Sequence, residues 1–229
     1  MKIEAARALV TGGSSGIGMA TARELAARGA KVAICGRDEK KLRRAAEELG
    51  VVAIHADVAA ESDVVRMVRE VLEKLGGYNV LINNAGFGEF APLVDTTVAD
   101  MERVFGTNVM GAMLVARESA RQFISQNYGN IVNISSSAGR RGFAGGTAYV
   151  ASKFALSGMT ECWRAELRKN NIRVMQINPS EVQTEFFQGR PFSQRKLVAA
   201  DIARAIVSML ELEDRGFVTE MSVWATNPD

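Results

Sequence analysis

The sequence predicts an α/β protein of the Rossmann type, with a doubly wound parallel sheet of about seven strands and helices on both faces. Three observations favour this fold. Short apolar runs alternate with stretches of amphipathic period, a glycine-rich turn follows the first apolar run, and polar motifs follow two later ones. With 229 residues, of which 47% are hydrophobic, the chain can bury one sizeable core, so we expect a single domain over residues 1–229.

The short apolar runs are interpreted as strands, because a parallel sheet covered by helices buries both faces of its strands. The strands are predicted near 5–10, 30–35, 51–56, 79–83, 129–134, 172–177 and 217–224. The longer amphipathic stretches predict helices near 16–28, 38–49, 61–75, 97–126, 149–170 and 200–212.

The segment 181–198 interrupts this alternation, with weak periodicity and no strand signal. It contains Phe186, Phe187, Gly189, Pro191 and Phe192, and we expect it to form a mobile lid over a substrate. Several phenylalanines are expected to border the substrate pocket and favour an apolar substrate portion, although some could belong to the core. They are Phe87, Phe90, Phe143, Phe186, Phe187 and Phe192.

A glycine-rich turn, Thr11-Gly12-Gly13-Ser14-Ser15-Gly16-Ile17-Gly18, joins the first predicted strand to the first helix. Glycines let the backbone approach a ligand closely, and the N–H groups and positive dipole end of the helix attract a pyrophosphate. The spacing is Gly-x-x-x-Gly-x-Gly, which differs from the commoner Gly-x-Gly-x-x-Gly fingerprint. A flexible Gly/Ser loop is the alternative.

Two polar motifs directly follow apolar strand runs, where ligands bind in open α/β sheets. Asn83-Asn84-Ala85-Gly86 follows Val80-Leu81-Ile82, and Asn133-Ile134-Ser135-Ser136-Ser137-Ala138-Gly139 follows Ile131-Val132. A serine after a strand often serves only as a turn hydroxyl that caps the backbone. The position of these serines upstream of Tyr149 favours a site.

Tyr149 and Lys153 are spaced i, i+4, which places a phenol and an ammonium on one face of a helix. A cation beside the phenol favours the phenolate and lowers its pKa from about 10, so that tyrosine can donate and accept protons near neutrality. Such pairs also arise by chance on solvated helices, and the preceding motifs are the reason to interpret this pair as catalytic.

Taken together and in this order, the motifs resemble those of the short-chain dehydrogenase/reductase family, in its compact single-domain branch. The motifs that carry the resemblance are Thr11 to Gly18, Asp57-Val58, Asn83 to Gly86, Asn108-Val109-Met110-Gly111, Ser136, and Tyr149 with Lys153. The family's active-site serine lies thirteen positions before its tyrosine, which selects Ser136 over Ser135 and Ser137.

The resemblance implies four catalytic residues. Tyr149 would donate a proton to the substrate oxygen, and Ser136 would hydrogen-bond that oxygen. Lys153 would lower the phenol pKa and hydrogen-bond the nicotinamide ribose, while Asn108 would hold a water that relays protons. Asn108 could also pack its amide on a neighbouring carbonyl, and this arrangement is compatible with the relay role.

The resemblance also implies a nicotinamide dinucleotide cofactor and a set of residues that bind it. An acid after the second strand binds the ribose 2′-OH of NAD, whereas a nearby arginine accommodates the 2′-phosphate of NADP. Here Gly36 takes the acid's place and Arg37 follows, so NADP(H) is the expected cofactor and NAD(H) is possible. A solvated charge at the start of a helix is the alternative for Arg37. The implied cofactor-binding residues are Gly12, Ser14, Ser15, Gly16, Ile17, Gly18, Arg37, Asp57, Val58, Asn84, Ala85, Gly86, Tyr149, Lys153, Pro179, Val182 and Thr184.

Two departures from the family pattern concern the later part of the chain. Ser180 follows Asn178-Pro179 where many members have glycine, which makes Val182 and Thr184 less secure as carboxamide contacts. The chain also lacks the Asp-Gly-Gly ending of longer relatives.

The function that the residues and the resemblance favour is an oxidoreductase that interconverts a small-molecule carbonyl and a secondary alcohol by hydride transfer. An NAD-dependent epimerase or lyase is one alternative, although the compact length leaves no room for a large substrate domain. A non-catalytic dinucleotide sensor is another, but a sensor would need only the cofactor half of these motifs.

Composition excludes several other classes. The formal net charge is +2 with basic and acidic residues interspersed, which indicates no nucleic-acid surface. No apolar run reaches about 18 residues and the first strand begins without a signal peptide's apolar core, so we expect a soluble cytoplasmic protein without a membrane partner. Cys35, Cys162 and His55 have no metal-binding spacing, so no metal is expected and both thiols are predicted to be buried and reduced.

Assembly is expected through the helices near 97–126 and 149–170, whose apolar positions exceed one core-facing stripe. Met159, Cys162, Trp163 and Leu167 continue an apolar band along the second helix. By resemblance, these helices pair in a homodimer or a homotetramer.

Overall fold

A computed structural model of the chain describes residues 1–187 and 192–227, and it confirms the predicted fold class. Seven parallel strands form the main sheet, in the spatial order β3-β2-β1-β4-β5-β6-β9. The strands of this sheet are β1 (Arg7–Thr11), β2 (Lys31–Gly36), β3 (Val52–His55), β4 (Val80–Asn83), β5 (Gly129–Ile134), β6 (Ile172–Pro179) and β9 (Glu220–Val223).

Among the described residues, seven α-helices connect the strands and cover both faces of the sheet. They are α1 (Gly16–Ala27), α2 (Glu39–Leu49), α3 (Glu61–Leu75), α4 (Val98–Phe105), α5 (Ala112–Ser125), α6 (Thr147–Leu167) and α7 (Ala199–Glu211). Two apolar clusters lie on opposite sides of the strands: one includes Leu25 of α1, Leu42 of α2 and Ile206 of α7, and the other includes residues of α3, α5 and α6. Each strand therefore has a helical layer above and below it.

The helix predicted over 97–126 is interrupted, and this is a correction to the sequence analysis. Between α4 and α5 the residues Gly106–Gly111 form a π-helical segment. A Cβ on Gly111 would lie 2.9 Å from Cγ2 of Val58, so only glycine allows the helix to pack this closely on the loop after β3. A π-helical segment differs from an α-helix in its hydrogen-bond register and not in its residue types, which is why the sequence pattern did not reveal the break.

The prediction that 181–198 holds no strand is also wrong. Val182–Gln183 (β7) pairs in parallel with Leu197–Val198 (β8) to form a second, two-stranded sheet. The Gln183 side chain fastens the segment, because its Nε2 donates to the carbonyl of Ser193 at 2.8 Å and its Oε1 accepts from the Ser193 N–H at 2.6 Å. Gly189 and Pro191 lie outside the described residues, and the role of the segment as a lid stays a prediction.

The two cysteines differ in a way that the sequence analysis did not expect. Cys35 is buried under the carboxyl end of β2, and burial raises the pKa of its thiol to about 12. Cys162 is exposed, because the face of α6 that packs inward carries Leu156 and Thr160 and position 162 lies on the opposite side. The predicted burial is confirmed for Cys35 and wrong for Cys162.

Within the described ranges, none of the helices has the length and apolar character that crossing a membrane requires.

Candidate active site

One cavity of about 1130 Å³ opens at the carboxyl ends of the strands, where the predicted motifs meet. Its lining includes Ser136, Tyr149 and Lys153, and every implied cofactor-binding residue except Gly18. Gly18 lies beneath the lining instead: a Cβ there would come within 2.4 Å of the Gly12 carbonyl oxygen, so this glycine allows close packing and does not face the cavity. Asn108 does not line the cavity either, and is 1% exposed.

The glycine-rich turn presents backbone at the cavity wall. Gly12 and Gly16 have positive φ angles of 63° and 53°, a region that disfavours residues with a Cβ. A helix leaves its first N–H groups without intrahelical partners, and the side chain of Ser15 makes no capping hydrogen bond at the start of α1. This combination of free donors and positive dipole suits a pyrophosphate.

Thr11 joins the glycine-rich turn to the loop after β4, a role that the sequence analysis missed. Its buried Oγ1 accepts from the N–H groups of Asn84 and Ala85, both at 2.9 Å. The Asn84 side chain returns a hydrogen bond to the Thr11 carbonyl at 2.8 Å. A threonine at the last position of an apolar strand was the available signal, because a buried hydroxyl there must find partners.

Asn108 lies in the π-helical segment and is held by the backbone of Phe87. Its Nδ2 donates to the Phe87 carbonyl at 2.8 Å and to Ser152 Oγ at 3.0 Å, and its Oδ1 accepts from the Phe87 N–H at 3.0 Å. The structure shows the Asn108 amide packed on a neighbouring carbonyl, an arrangement that is compatible with the water-holding role. A Cβ on Gly86 would lie 3.0 Å from Asn108 Oδ1, so Asn108 also restricts the loop that borders the cavity.

The electrostatics of Tyr149 and Lys153 differ from the expectation. Burial raises the pKa of the Tyr149 phenol, and the hydrogen bond from Ser136 offsets this only in part. Lys153 is 6% exposed; its Nζ donates to the Ile134 carbonyl at 2.9 Å and lies 5.7 Å from the centroid of the tyrosine ring. Burial lowers the pKa of Lys153 to about 8. The phenol pKa is therefore raised in this structure, because desolvation dominates and Lys153 is not among the groups that shift it. The lowering of this pKa by Lys153 stays a prediction.

The choice of Ser136 among three serines gains support from its neighbours. Ser136 accepts from the Ala138 N–H at 3.1 Å and hydrogen-bonds the phenol of Tyr149. Ser135, in contrast, turns toward α6, with its Oγ 3.4 Å from the Lys153 carbonyl oxygen.

Arg37 lies at the rim of the cavity beyond the end of β2. Its side chain is 63% exposed, and Nη1 lies 4.0 Å from Oδ2 of Asp57. A Cβ on Gly36 would meet Ser14 Oγ at 3.4 Å, an ordinary contact, so this corner has space for a larger side chain or a ligand. Asp38 also lines this corner, which the sequence analysis missed, while its carboxylate caps α2 by accepting from the Lys41 N–H at 3.0 Å.

The other end of the cavity is aromatic. The ring of Phe90 lies 5.6 Å from Tyr149, 6.0 Å from Phe143 and 6.0 Å from Phe186, measured between centroids. Phe87 also lines the cavity, whereas Phe192 does not and is 73% exposed. Arg141 and Trp224 complete this end, and neither was singled out from the sequence.

Sequence comparison relates the chain to oxidoreductases. The sequence model described as short chain dehydrogenase matches residues 6–194. The chain is 30% identical over 225 residues to an uncharacterized oxidoreductase of Staphylococcus epidermidis, covering 97% of this chain and 98% of the relative. It is 36% identical over 212 residues to the 3-oxoacyl-[acyl-carrier-protein] reductase of Bos taurus, covering 88% and 90%.

Structural comparison points the same way. The 3-ketoacyl-(acyl-carrier-protein) reductase of Brucella melitensis, solved in complex with NADH, superposes with a TM-score of 0.91 at 28% identity, covering 99% of this chain and 100% of the other. Levodione reductase superposes with a TM-score of 0.86 at 28% identity, covering 95% of each chain.

The buried lysine leads to a prediction about stability. Its folded-state pKa of about 8 lies below the ordinary 10.5, so charged Lys153 destabilises the folded protein below pH 8, and this cost is lost as the pH rises toward 10.5. At 1.36 kcal/mol per pKa unit the cost is about 3 kcal/mol at pH 7. We expect Lys153→Met to raise the free energy of unfolding at pH 7 by about 1–2 kcal/mol, because the lost hydrogen bond offsets part of the gain.

Urea titrations of both proteins at pH 7 and pH 10 provide the measurement, and the advantage of the variant should shrink by about 2 kcal/mol between them. Lys40→Met, at an exposed position of α2, is the control and should show no such trend. If the difference in free energy of unfolding between Lys153→Met and the parent protein does not change with pH, the lowered pKa of Lys153 is contradicted.

Proposed function

The chain belongs to the short-chain dehydrogenase/reductase family of oxidoreductases, and we propose that it interconverts a small-molecule carbonyl and a secondary alcohol by NADP(H)-dependent hydride transfer, with Tyr149 as general acid and base. One observation carries the proposal: Ser136, Tyr149 and Lys153 line the same cavity as the uncapped end of α1 and the glycine-rich turn. Hydride transfer requires the catalytic side chains and the dinucleotide-binding turn to share one cavity, because the substrate carbon must lie beside the nicotinamide.

The cavity fits a dinucleotide. The residues that would hold it are Gly12, Ser14, Ser15, Gly16 and Ile17 at the pyrophosphate, Arg37, Asp57 and Val58 at the adenosine, Asn84, Ala85 and Gly86 along its length, and Lys153, Pro179, Val182 and Thr184 at the nicotinamide. A bound nicotinamide supplies the hydride in reduction and accepts it in oxidation.

The raised pKa of Tyr149 keeps its phenol protonated at neutral pH, which suits a proton donor. In the reduction, Tyr149 Oη would donate this proton to the carbonyl oxygen as the alcohol forms, while the Ser136 hydroxyl would hold that oxygen in place. Lys153, whose Nζ donates to the Ile134 carbonyl, would bind the nicotinamide ribose. Asn108 would fix Gly86 and Phe87 next to it, and the water relay through Asn108 stays a prediction.

Arg37 supports a preference for NADP(H). Its guanidinium reaches the adenosine corner, and Gly36 stands where the acid that binds a ribose 2′-OH is expected. Asp38 also lines this corner, but its carboxylate accepts from the Lys41 N–H at the start of α2. A charge-assisted hydrogen bond to the 2′-phosphate contributes roughly 1.5–3 kcal/mol, or about 10- to 150-fold in affinity, and exposure places Arg37 at the lower end.

Assembly through α5 and α6 is also proposed. Ile124 of α5 and Phe154 of α6 are 44% and 46% exposed, and Met110 of the π-helical segment before α5 is 51% exposed, which leaves apolar surface along these elements. Part of the apolar band predicted along α6 packs inside the protein and is not available for assembly, because Leu167 is buried in the core and Trp163 packs against this core. A homodimer or homotetramer that covers Phe154 and Met110 is the assembly that this surface supports.

Tyr149→Phe is expected to lower kcat by about 10²–10⁴-fold, because it removes the proton donor and leaves the packing of the ring intact. The measurement is the change in NADPH absorbance at about 340 nm over a panel of ketones and aldehydes. NADPH binding should change little, and Tyr128→Phe, at a tyrosine outside the cavity, is the matched control. Tyr149→Phe with most of its activity left on a validated substrate would rule out this mechanism.

NADPH is expected to be preferred over NADH by about tenfold or more in kcat/KM, with a smaller preference at high salt. Arg37→Ala should weaken NADPH much more than NADH, and Gly36→Asp should favour NADH by adding a ribose partner and repelling the phosphate. The control is Arg43→Ala, because Arg43 is exposed on α2 outside the cavity. Equal use of both cofactors by the unchanged protein would show that Arg37 is only a surface charge.

Light scattering at micromolar concentration is expected to give at least twice the chain mass of 24.7 kDa. Phe154→Lys should weaken the assembly, because it places a charge in the apolar contact. Val65→Lys changes a similarly exposed residue of α3 and serves as the control. A stable monomer would refute the proposed assembly.

A further inference from the structure

Arg141 and Trp224 lie at the end of the cavity opposite Arg37. Arg37 follows β2 and Trp224 follows β9, and the sheet order places five strand spacings between those two strands. At about 4.8 Å per spacing, the two ends are roughly 24 Å apart. Arg141 is therefore too distant to bind the 2′-phosphate proposed at Arg37, and lies at the aromatic end of the cavity with Phe90 and Phe143.

The fold holds Arg141 in place from two sides. Its backbone N–H donates to the Ser137 carbonyl at 3.3 Å, so Arg141 belongs to the turn that begins at Ser136. Its guanidinium lies over the indole of Trp224, with Cζ 4.6 Å from the ring centroid. A cation–π contact of this kind orients the guanidinium without using its hydrogen-bond donors.

No carboxylate compensates this charge within the parts of the chain that are described, since none lies within 4.0 Å of the Arg141 nitrogens. Two acids on segments at this edge of the sheet have cationic partners of their own. Glu220 pairs with Arg140, and Glu181 pairs with Lys196 at 2.9 Å. The positive charge of Arg141 is thus directed at the cavity and at solvent.

Aromatic side chains face the same space. Phe90, Phe143 and Trp224 are 47%, 52% and 51% exposed, although exposed aromatic rings are uncommon away from binding surfaces. With Phe186 and the ring of Tyr149 they form an apolar wall beside an oriented cation.

We propose that the substrate is an aromatic or similarly apolar carbonyl compound that bears a carboxylate, and that Arg141, held over Trp224, binds this carboxylate. The proposal rests on the proposed oxidoreductase function and names the substrate class for the same site. The apolar part would lie against Phe90, Phe143 and Phe186, with the carbonyl at Tyr149. Arg141 and Trp224 would act as substrate-binding residues that select for charge.

The test uses two keto acids, 4-acetylbenzoate and 3-(4-acetylphenyl)propanoate, each compared with its methyl ester, which removes the charge and adds one methyl group. Two chain lengths allow for the reach between Tyr149 and Arg141. We expect the unchanged protein with NADPH to prefer the acids by about tenfold in kcat/KM, the lower end for a hydrogen bond between charged groups.

Arg141→Met should collapse the ratio of acid to ester by about tenfold, and higher ionic strength should lower the same ratio in the unchanged protein. Arg168→Met is the matched control, because Arg168 follows the far end of α6, a 21-residue helix of roughly 30 Å that begins at the cavity. No preference for the acids, or an equal loss for acid and ester in Arg141→Met, would overturn the proposal.

A binding measurement separates this proposal from the proposed function. Titration calorimetry of the protein with NADP⁺ should show tighter binding of the acids than of the esters, and Arg141→Met should remove the difference. Equal affinities would overturn the anion site even if every ketone were reduced. Acid-selective binding without NADPH consumption on any ketone would support the anion site and count against the oxidoreductase.

Discussion

The central strands of the sheet all run in one direction and are buried on both faces, and this constraint determines where chemistry can take place. Every residue of β4, β5 and β6 is buried, so a polar side chain within them must find a partner inside the protein. Free polar groups can collect only beyond the strand ends. The carboxyl ends of parallel strands share one edge, which brings the glycine-rich turn, the loop after β4 and the turn after β5 around one cavity.

The polar groups that remain inside the sheet connect the strands to α6. Asn83 donates to Asn133 at 3.2 Å, and Asn133 donates to Thr160 of α6 at 2.8 Å. Lys153 of the same helix donates to the carbonyl of Ile134. These bonds fix the rotation and height of α6 over β5, and thereby the position of Tyr149 relative to Ser136. A helix held only by apolar contacts could slide with little loss of free energy, whereas buried hydrogen bonds have one register.

Much of the fold followed from the sequence because it depends on local signals. The alternation of apolar runs and amphipathic stretches predicted the seven main strands, and the Tyr149/Lys153 spacing predicted two side chains of one cavity. The π-helical segment was missed because it differs from an α-helix in hydrogen-bond register and not in residue types. The exposure of Cys162 was missed because composition does not tell which face of α6 points inward. The phenol pKa depends on how deeply Tyr149 and Lys153 are buried, and the contact of Arg141 with Trp224 joins residues far apart in the chain. Neither the phenol pKa nor this contact can be predicted from the residues next to them in the sequence.

The two ends of the cavity are built differently, and this has an evolutionary consequence. The Gly12 end depends on main-chain geometry and on glycines that tolerate no side chain, so most substitutions there would disturb the sheet. The Arg141 end consists of half-exposed side chains on connecting segments, where substitutions typically change stability by about 0.5 kcal/mol or less. Selection can therefore alter the molecule recognised at one end while the scaffold and the other end stay constant. If the proposed substrate site is right, a few changes at Phe90, Phe143, Arg141 and Trp224 would change the ligand and leave the architecture unaltered.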